Sequence, residues 1–139
     1  MKHTAFILIL IPALLFTACS DGQDGSDLAG TSWSLVSHGP VDAQIAATQG
    51  VDTSLTFGSD GKVGGNLGCN SFAGEYTQEE DEIILGPLAA TLMACQEARM
   101  SQETAAFAVL NGSVHFMVDG NTLTIFSGDG NSALILTRY

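Results

Sequence analysis

The sequence predicts an α+β protein in which one helix accompanies a mainly antiparallel sheet. From Leu28 onward, short runs of alternating apolar and polar residues are separated by clusters of Gly, Asp, Asn and Ser, as in strands joined by turns. Between Cys95 and Gly112 the apolar residues instead recur every three or four positions, which is the spacing of an amphipathic helix. The chain has 139 residues. About 110 to 120 remain after an N-terminal leader, enough for one domain and too few for two.

Residues 1–18 are predicted to be a lipoprotein signal peptide. Lys2 lies near its start, an apolar run covers residues 5–16, and small residues precede Cys19, which is the order of a bacterial export signal. The apolar run is shorter than the roughly 20 residues that a membrane-spanning helix needs. We therefore expect the mature chain to be exported.

The five residues LFTAC, which end at Cys19, resemble the lipobox of bacterial lipoproteins, although Phe16 stands where Leu is usual. The resemblance implies that Cys19 becomes the mature N-terminus and carries acyl chains, which together hold a protein on a membrane almost permanently. The alternative is a plain secretory signal that is cleaved near Ala18 and leaves a free Cys19. Ser20 fits the outer-membrane sorting pattern, so we expect a lipid-anchored envelope protein on the outer membrane, facing the periplasm.

Residues 19–27 are predicted to form an acidic, flexible tether, because such small and polar residues cannot bury enough surface to order themselves. The aspartates here lie three positions apart, whereas a calcium loop needs acids at alternate positions. Without Lys2, the mature chain has three basic residues against 15 acids, a net charge of −12. A surface of that charge repels nucleic acid and anionic lipid headgroups.

The domain is expected to cover residues 28–139 and to begin with a strand in which Trp33 and Leu35 alternate with serines. Residues 39–53 fit either a loop or a short helical turn. Residues 53–66 are predicted to form a hairpin. The glycines within residues 64–68 are expected to interrupt regular strand pairing.

The next strand contains Tyr76, and an acidic turn at residues 79–82 leads to a buried strand at residues 83–85. The helix that follows is expected to face the core with an apolar stripe of Met100, Phe107 and Leu110. Alternating apolar residues after it predict a three-stranded meander to the end of the chain, with His115 pointing to solvent.

Several short motifs follow one another in a specific order. They are Trp33, then Gly68-Cys69-Asn70 with Gly74 and Tyr76, then Leu85-Gly86-Pro87-Leu88, then Thr91-Leu92-Met93-Ala94-Cys95, and last a helix with Glu103 and Phe107. Together they resemble the META domain of the HslJ-like heat-shock lipoproteins over residues 28–139. The resemblance implies a strongly bent antiparallel sheet, similar to a cracked barrel, with one packed helix. It also implies an envelope protein linked to stress or antibiotic tolerance, and it supplies no catalytic residue.

Cys69 and Cys95 are expected to form a disulfide. Export places them in an oxidising compartment, and once Cys19 carries lipid only one intramolecular pairing is possible. A bridge requires the two Cα atoms to lie within about 7 Å, which depends on the strands around Tyr76 and Leu85 folding back on each other. The alternative is two buried, reduced cysteines.

No catalytic or metal-binding arrangement stands out in the sequence. His38 and His115 can each be combined with a serine and an aspartate, but no GxSxG elbow is present. Cys69 and Cys95 form neither a CxxC pair nor a cluster with histidine, so no metal site is expected. We expect no cofactor and no enzymatic activity.

Two function classes remain. The first is a monomeric, non-enzymatic envelope lipoprotein that binds or stabilises another envelope component, with Asn70 and Trp33 as possible contacts. For Asn70 the favoured alternative is a structural role, in which it caps exposed backbone groups of the glycine-rich bend. The second is a carrier of a small apolar ligand or lipid, because the predicted fold also resembles the cracked barrel of secretion pilotins. The expected lining of such a cleft is aromatic and consists of Trp33, Phe57, Phe72, Phe107 and Phe116.

Overall fold

The strands wrap into a closed antiparallel barrel in the computed structural model, which describes residues 26–139. The signal peptide and Cys19 lie outside these described residues. The elements in chain order are β1 Thr31–Pro40, β2 Ile45–Ala46, β3 Ser54–Phe57, β4 Lys62–Asn66, β5 Ser71–Glu79, β6 Glu82–Leu85, β7 Ala89–Ala90, α1 Glu97–Val109, β8 Ser113–Asp119, β9 Thr122–Phe126 and β10 Ser132–Arg138.

Eight strands form the wall of the barrel in the order β10, β9, β8, β6, β5, β4, β3, β1. Pairing of β1 with β10, from Trp33 opposite Arg138 to Pro40 opposite Ser132, closes the ring. Two short strands lie outside it, with β2 paired to β1 and β7 paired to β5. The α+β class and the strongly bent sheet with one helix are thus confirmed, and the bend is complete enough to close.

Large side chains fill the barrel interior, as expected for eight strands, whose lumen is just wide enough for side chains. Trp33 and Phe57 are completely buried, and Phe72 and Phe116 are also buried in the same core. The expectation that these four aromatics line an open cleft is therefore wrong, because all four are buried in one core cluster. Phe57 meets Tyr76 edge to face at 5.0 Å between ring centroids.

The two ends of the barrel are closed differently. Helix α1 covers the end that holds the β4–β5 turn and the β9–β10 turn, which we call the helix end. The segment of residues 26–30 closes the opposite, N-terminal end, where the backbone amide of Leu28 donates to the side-chain oxygen of Gln78 at 2.9 Å. Ser26 also contacts Gln78, through its carbonyl oxygen. The last two residues of the predicted tether thus already touch the domain.

The helix buries a different face from the one that the sequence predicted. Its buried residues are Gln102, Glu103, Ala106 and Val109, whereas Met100 and Phe107 are only half-buried. The apolar stripe was a poor guide because two polar side chains face inward and bond the backbone of residues 67–70. Leu110, just past the helix, is buried as expected.

The stretch at residues 39–53 is neither a plain loop nor helical, since β1 extends to Pro40 and β2 follows it. The expected interruption by glycines is also wrong for Gly64 and Gly65, which pair regularly with β3 and β5. A Cβ at Gly65 would overlap the carbonyl oxygen of Ser54 on β3. The missing side chains permit the close pairing here.

Replacing Gly65 by alanine should lower the free energy of unfolding by about 2 to 4 kcal/mol. Overpacking accounts for about 1 to 3 kcal/mol of this loss, and the positive φ of +149° adds backbone strain of about 1 kcal/mol or more. Gly120→Ala is the control, because its φ is also positive but its Cβ would meet nothing within 4 Å. Urea unfolding of both variants measures the difference. Equal losses would contradict the close contact with Ser54.

Candidate functional site

Asn70 is the centre of a hydrogen-bond network at the helix end of the barrel. It is buried in the turn that leads into β5, and every polar atom of its side chain is bonded. Its side-chain nitrogen donates to Glu103 at 2.7 Å. Its side-chain oxygen accepts from the Thr91 hydroxyl at 3.0 Å and from the backbone amide of Met93 at 2.6 Å. Asn70 therefore links the helix to the segment that follows β7.

Glu103 fixes the orientation of Asn70. One of its carboxylate oxygens accepts the backbone amides of Cys69 and Asn70, and the other accepts the Asn70 side chain. Glu103 is buried, and neither ion pair within residues 26–139 involves it. A buried carboxylate needs such donors, and each hydrogen bond to a charged group contributes about 1.5 to 3 kcal/mol.

Neighbouring residues of α1 hold the same turn. Gln102 donates to the carbonyl oxygen of Leu67 at 2.8 Å and accepts the backbone amide of Thr48 at 2.7 Å. Arg99 donates to the carbonyl oxygen of Gly68 at 2.8 Å. A Cβ at Gly68 would overlap the backbone oxygen of Arg99, so only glycine lets the turn approach the helix this closely.

Cys69 and Cys95 are joined by a disulfide, with their Cα atoms 5.9 Å apart. This distance lies inside the usual range of about 4.4 to 6.8 Å. The bridge ties the start of the helix to the turn before β5 and closes a 26-residue separation. By the chain-entropy argument, a loop of that size stabilises the fold by about 3 to 4 kcal/mol. The pairing expected from the sequence is present.

The segment between β7 and α1 exposes two large apolar residues. Leu92 is 98% exposed and Met93 is 55% exposed. The backbone around them is held, because the amide of Thr91 donates to Ser71 and the amide of Met93 donates to Asn70. The disulfide at Cys95 holds the far side. Leu92 and Met93, which we call the apolar pair, are therefore presented to solvent by a braced backbone.

An apolar cleft of about 560 Å³ lies beside this segment, between residues 85–90 and the C-terminal half of α1. Its volume falls in the range of about 300 to 1,000 Å³ that is usual for small-molecule sites. Phe107 is the one residue of the expected aromatic lining that contributes to it, and it meets Phe72 edge to face at 5.3 Å. The other apolar lining residues are Leu85, Pro87, Leu88, Ala90 and Leu110.

A second, more polar groove of about 580 Å³ separates α1 from the β9–β10 turn. Its lining includes His38, which is buried, and burial lowers the pKa of this imidazole. Within the described part of the chain, the His38 Nδ1 atom has no hydrogen-bond partner. Asp129 also lines the groove, and hydrogen bonds from the Ser127 hydroxyl and from Asn131 lower its pKa to about 2. These bonds lie within the β9–β10 turn and stabilise it.

The other residues considered from the sequence lie apart from this network. Trp33 is fully buried at the N-terminal half of β1, donates from its indole nitrogen to Thr31 at 2.7 Å, and lies under the Arg138 guanidinium at 4.7 Å. His115 is exposed on β8, as predicted, and lies 4.0 Å from Asp81. The structure thus places both expected contact residues inside the protein, Asn70 beneath the candidate surface, where it supports the segment at Thr91 and Met93, and Trp33 in the core.

Glu103, Gln102, Leu92 and Met93 were not selected from the sequence as members of a site. Glu103, Leu92 and Met93 do lie in the motifs that resemble the META domain, and this is the signal that could have found them. Among residues 26–139, no group of three or more His, Cys, Asp or Glu side chains could hold a metal ion. No helix in that same range is long and apolar enough to cross a bilayer.

Comparison with known proteins identifies the fold. The META domain family model matches residues 26–138. A protein from Burkholderia xenovorans, solved by NMR, is similar with a TM-score of 0.67 and 20% identity, covering 100% of this chain and 98% of that one. A second NMR structure has a TM-score of 0.64 and 19% identity, covering 81% and 92% of the two chains.

A crystal structure of a DUF4847 family protein from Bacteroides vulgatus is more distant, with a TM-score of 0.57 and 12% identity, covering 79% of this chain and 93% of that one. At these identities the structural likeness establishes the fold alone. No curated protein matches this chain.

Replacing Glu103 by glutamine should lower the free energy of unfolding by about 2 to 3 kcal/mol, the scale of hydrogen bonds to a charged group. A glutamine amide can accept from the two backbone amides only by turning its own NH₂ toward the NH₂ of Asn70. Glu97→Gln is the matched control, because Glu97 is exposed in the first turn of the same helix and should change stability by about 0.5 kcal/mol or less.

Denaturant unfolding measures both losses. Double-mutant cycles with Asn70→Ala should yield a coupling energy of at least about 0.5 kcal/mol for Glu103→Gln and none for Glu97→Gln. Additive losses for Glu103 and Asn70 would mean that the two side chains do not act together.

Proposed function

This chain belongs to the META domain family, and from that premise we propose that it is a non-enzymatic, lipid-anchored envelope protein that binds another envelope protein through the helix end of its barrel. The observation that carries the proposal is the apolar pair. A single exposed apolar side chain such as Leu92 is common on protein surfaces. Here two adjacent apolar residues are exposed, and their backbone is fixed at Thr91, Met93 and Cys95. Bracing of this kind lowers the entropy lost when a partner covers the surface.

The position of the apolar pair supports this role if Cys19 carries the lipid. The described domain starts at Ser26, which lies at the N-terminal end of the barrel beside Gln78. The pair lies near Ser71, at the other end of β5. A nine-residue strand separates the two ends by about 27 Å. An anchor at Cys19 would therefore attach the chain at the end opposite the apolar pair and leave that pair free for a partner.

Charge keeps the domain off the bilayer surface and does not fix its orientation there. The turns at the N-terminal end are acidic and include Asp60, Glu79, Glu80, Asp81, Glu82 and Asp119. Anionic headgroups repel such a surface. The three basic residues of the domain are already engaged, Lys62 with Glu75, Arg99 with Gly68 and Arg138 with Trp33. The lipid would thus provide the attachment, while the acidic end keeps the domain off the bilayer surface.

A second function is favoured by one observation, the apolar cleft of about 560 Å³ between β7 and α1. It could hold a small apolar ligand or one acyl chain, which would make the protein a carrier. The cleft borders the segment that bears the apolar pair, since Ala90 lines it. We rank the carrier second because the fully exposed Leu92 is not part of the cleft lining.

The finer assignment, to the HslJ-like heat-shock lipoproteins, is part of the proposal. It rests on the motifs around Cys69, Pro87 and Cys95, which the domain uses to build the helix end. In this reading the protein acts in the envelope under stress by holding a partner. Loss of the gene product should then affect survival of envelope stress and leave normal growth intact.

The variant Cys19→Ala should lose its lipid and leave the membrane fraction. Without the thiol no diacylglyceryl group can attach, and several acyl chains are needed for stable anchoring. Metabolic labelling with a palmitate analogue, followed by membrane pelleting, measures both effects. Ser20→Ala is the control and should stay labelled and membrane-bound. An unlabelled Cys19→Ala chain that still pellets with membranes would contradict lipid anchoring.

The double variant Leu92→Ser, Met93→Ser should reduce in vivo cross-linking to the envelope partner by about 10-fold or more. Burial of one such side chain contributes about 1.5 to 3 kcal/mol, and 1.4 kcal/mol is a tenfold change in affinity. Met117→Ser is the matched control, because Met117 is 54% exposed on β8, almost the same exposure as Met93.

The midpoint temperature of thermal unfolding should be nearly the same for all these variants, because each substituted residue is exposed. An unchanged cross-link pattern in the double variant would place the docking surface elsewhere. A lipid that copurifies in native mass spectrometry, and is lost on Phe107→Ala, would favour the carrier instead.

A further inference from the structure

We infer that the partner binds as an extended strand, which adds to the free edge of β7 and runs in the cleft between β7 and α1. This inference rests on the proposed function and names how the partner is recognised. The partner segment is apolar in the cleft and carries lysine or arginine at its ends. Four observations support it, and they concern the strand edge, its side walls, its accessibility and its charge.

The barrel wall opens where β6 continues into β7. β6 pairs with β8 only through residues 82–84, and the last bond on that side runs from the backbone amide of Leu85 to the carbonyl oxygen of Gly112. Beyond it, β7 remains paired to β5 but has no second neighbour in the described sheet. Pro87, at the join, has no amide hydrogen to donate.

The register shows which groups of β7 point outward. Ala73 lies opposite Ala89 and Phe72 opposite Ala90, and the amide of Thr91 donates to Ser71. Because hydrogen-bonded and non-bonded pairs alternate in antiparallel sheet, the amide and carbonyl of Ala90 face away from β5. Ala90 is exposed and lines the cleft, whereas Ala89 does not line it. A second strand can therefore bond Ala90 directly.

The opposite wall of the cleft is apolar and comes from the helix side. Phe107 and Leu110 face the cleft across from Leu85, Pro87 and Leu88. An added strand directs alternate side chains to its two faces, so one set would enter this cleft and the other would face solvent. Leu92 follows the cleft-lining residue Ala90 by two positions, so the apolar pair is placed to contact the continuation of the same strand.

The net charge of the domain indicates which residues the ends of the partner segment carry. Every residue that lines the cleft is uncharged, yet the domain around it carries a large excess of acids. The basic residues of the domain already have partners within it. The net negative charge of the domain attracts a strand that carries lysine or arginine and repels an acidic one, and the uncharged cleft leaves the ends of the strand as the place for those charges.

Amide hydrogen exchange on the ¹⁵N-labelled full chain in detergent micelles tests the binding mode. The probes are synthetic peptides in which valine alternates with threonine, flanked by lysines in one peptide and by glutamates in its match. At about 1 mM, the lysine-flanked peptide should slow exchange of the Ala90 amide by about 10-fold or more. The amides of Ala89 and Thr91, already paired with β5, should change little. The glutamate-flanked peptide should have no effect.

Two variants separate backbone pairing from packing. Ala90→Pro removes the outward donor at an edge position that tolerates proline, and it should weaken peptide binding by about 10-fold, whereas Ala90→Ser keeps the donor and should bind normally. A peptide that is N-methylated at every valine and threonine has no amide donor on either edge and should fail to bind the unchanged chain, which keeps the test independent of whether Ala90→Pro folds.

The inference is overturned if no peptide slows exchange at Ala90, or if the N-methylated peptide binds equally well. A shift of Phe107 and Leu110 signals without protection of Ala90 would also overturn it and would indicate a small apolar ligand. If Ala90 is not protected but cross-linking in cells still depends on Leu92 and Met93, the proposed function stands and only the strand-addition mode fails.

Discussion

The carboxylate of Glu103 is the contact on which the helix end of this barrel depends. It draws together the backbone of Cys69 and Asn70 and the side chain of Asn70, three donors from a turn more than 30 residues earlier in the chain. The side-chain oxygen of Asn70 in turn accepts hydrogen bonds from Thr91 and Met93 and so holds their segment in place. Because a buried carboxylate is costly unless its oxygens are bonded, the helix, the turn and the braced segment form one unit.

This unit makes the two ends of the barrel chemically different. The N-terminal end is closed by residues 26–30 and bears acidic turns, while the helix end bears an apolar cleft and the apolar pair. The disulfide reinforces the difference, since it pins the start of α1 to the turn before β5. An interior filled by Trp33, Phe57 and their neighbours leaves binding to the outer surfaces of the barrel.

Local sequence patterns predicted much of the fold. Alternation placed Trp33, Leu55, Phe57 and Leu134 inward on their strands, and the period of three to four located the helix. The same patterns gave wrong predictions where contacts with the backbone decide which residues pair or are buried. Gly64 and Gly65 suggested an interruption, yet they lie in β4, because missing side chains can admit a neighbouring strand as well as end pairing. Met100 and Phe107 suggested the buried helix face, yet Gln102 and Glu103 lie deeper.

The sequence by itself determined the strand alternation and the position of the helix, because these follow from side-chain periodicity, and it named Cys69 and Cys95 as the one pair open to a disulfide once Cys19 is set aside; that the two meet was decided by the fold. Only the tertiary structure decided that β1 closes on β10, that Glu103 turns inward, and that Leu92 stands out beside a free strand edge. Each of these depends on which backbone groups remain unpaired after distant segments meet. The periodicity of apolar residues indicates which face of a strand or helix is buried. It does not indicate which buried polar groups will need a given side chain as a hydrogen-bond partner.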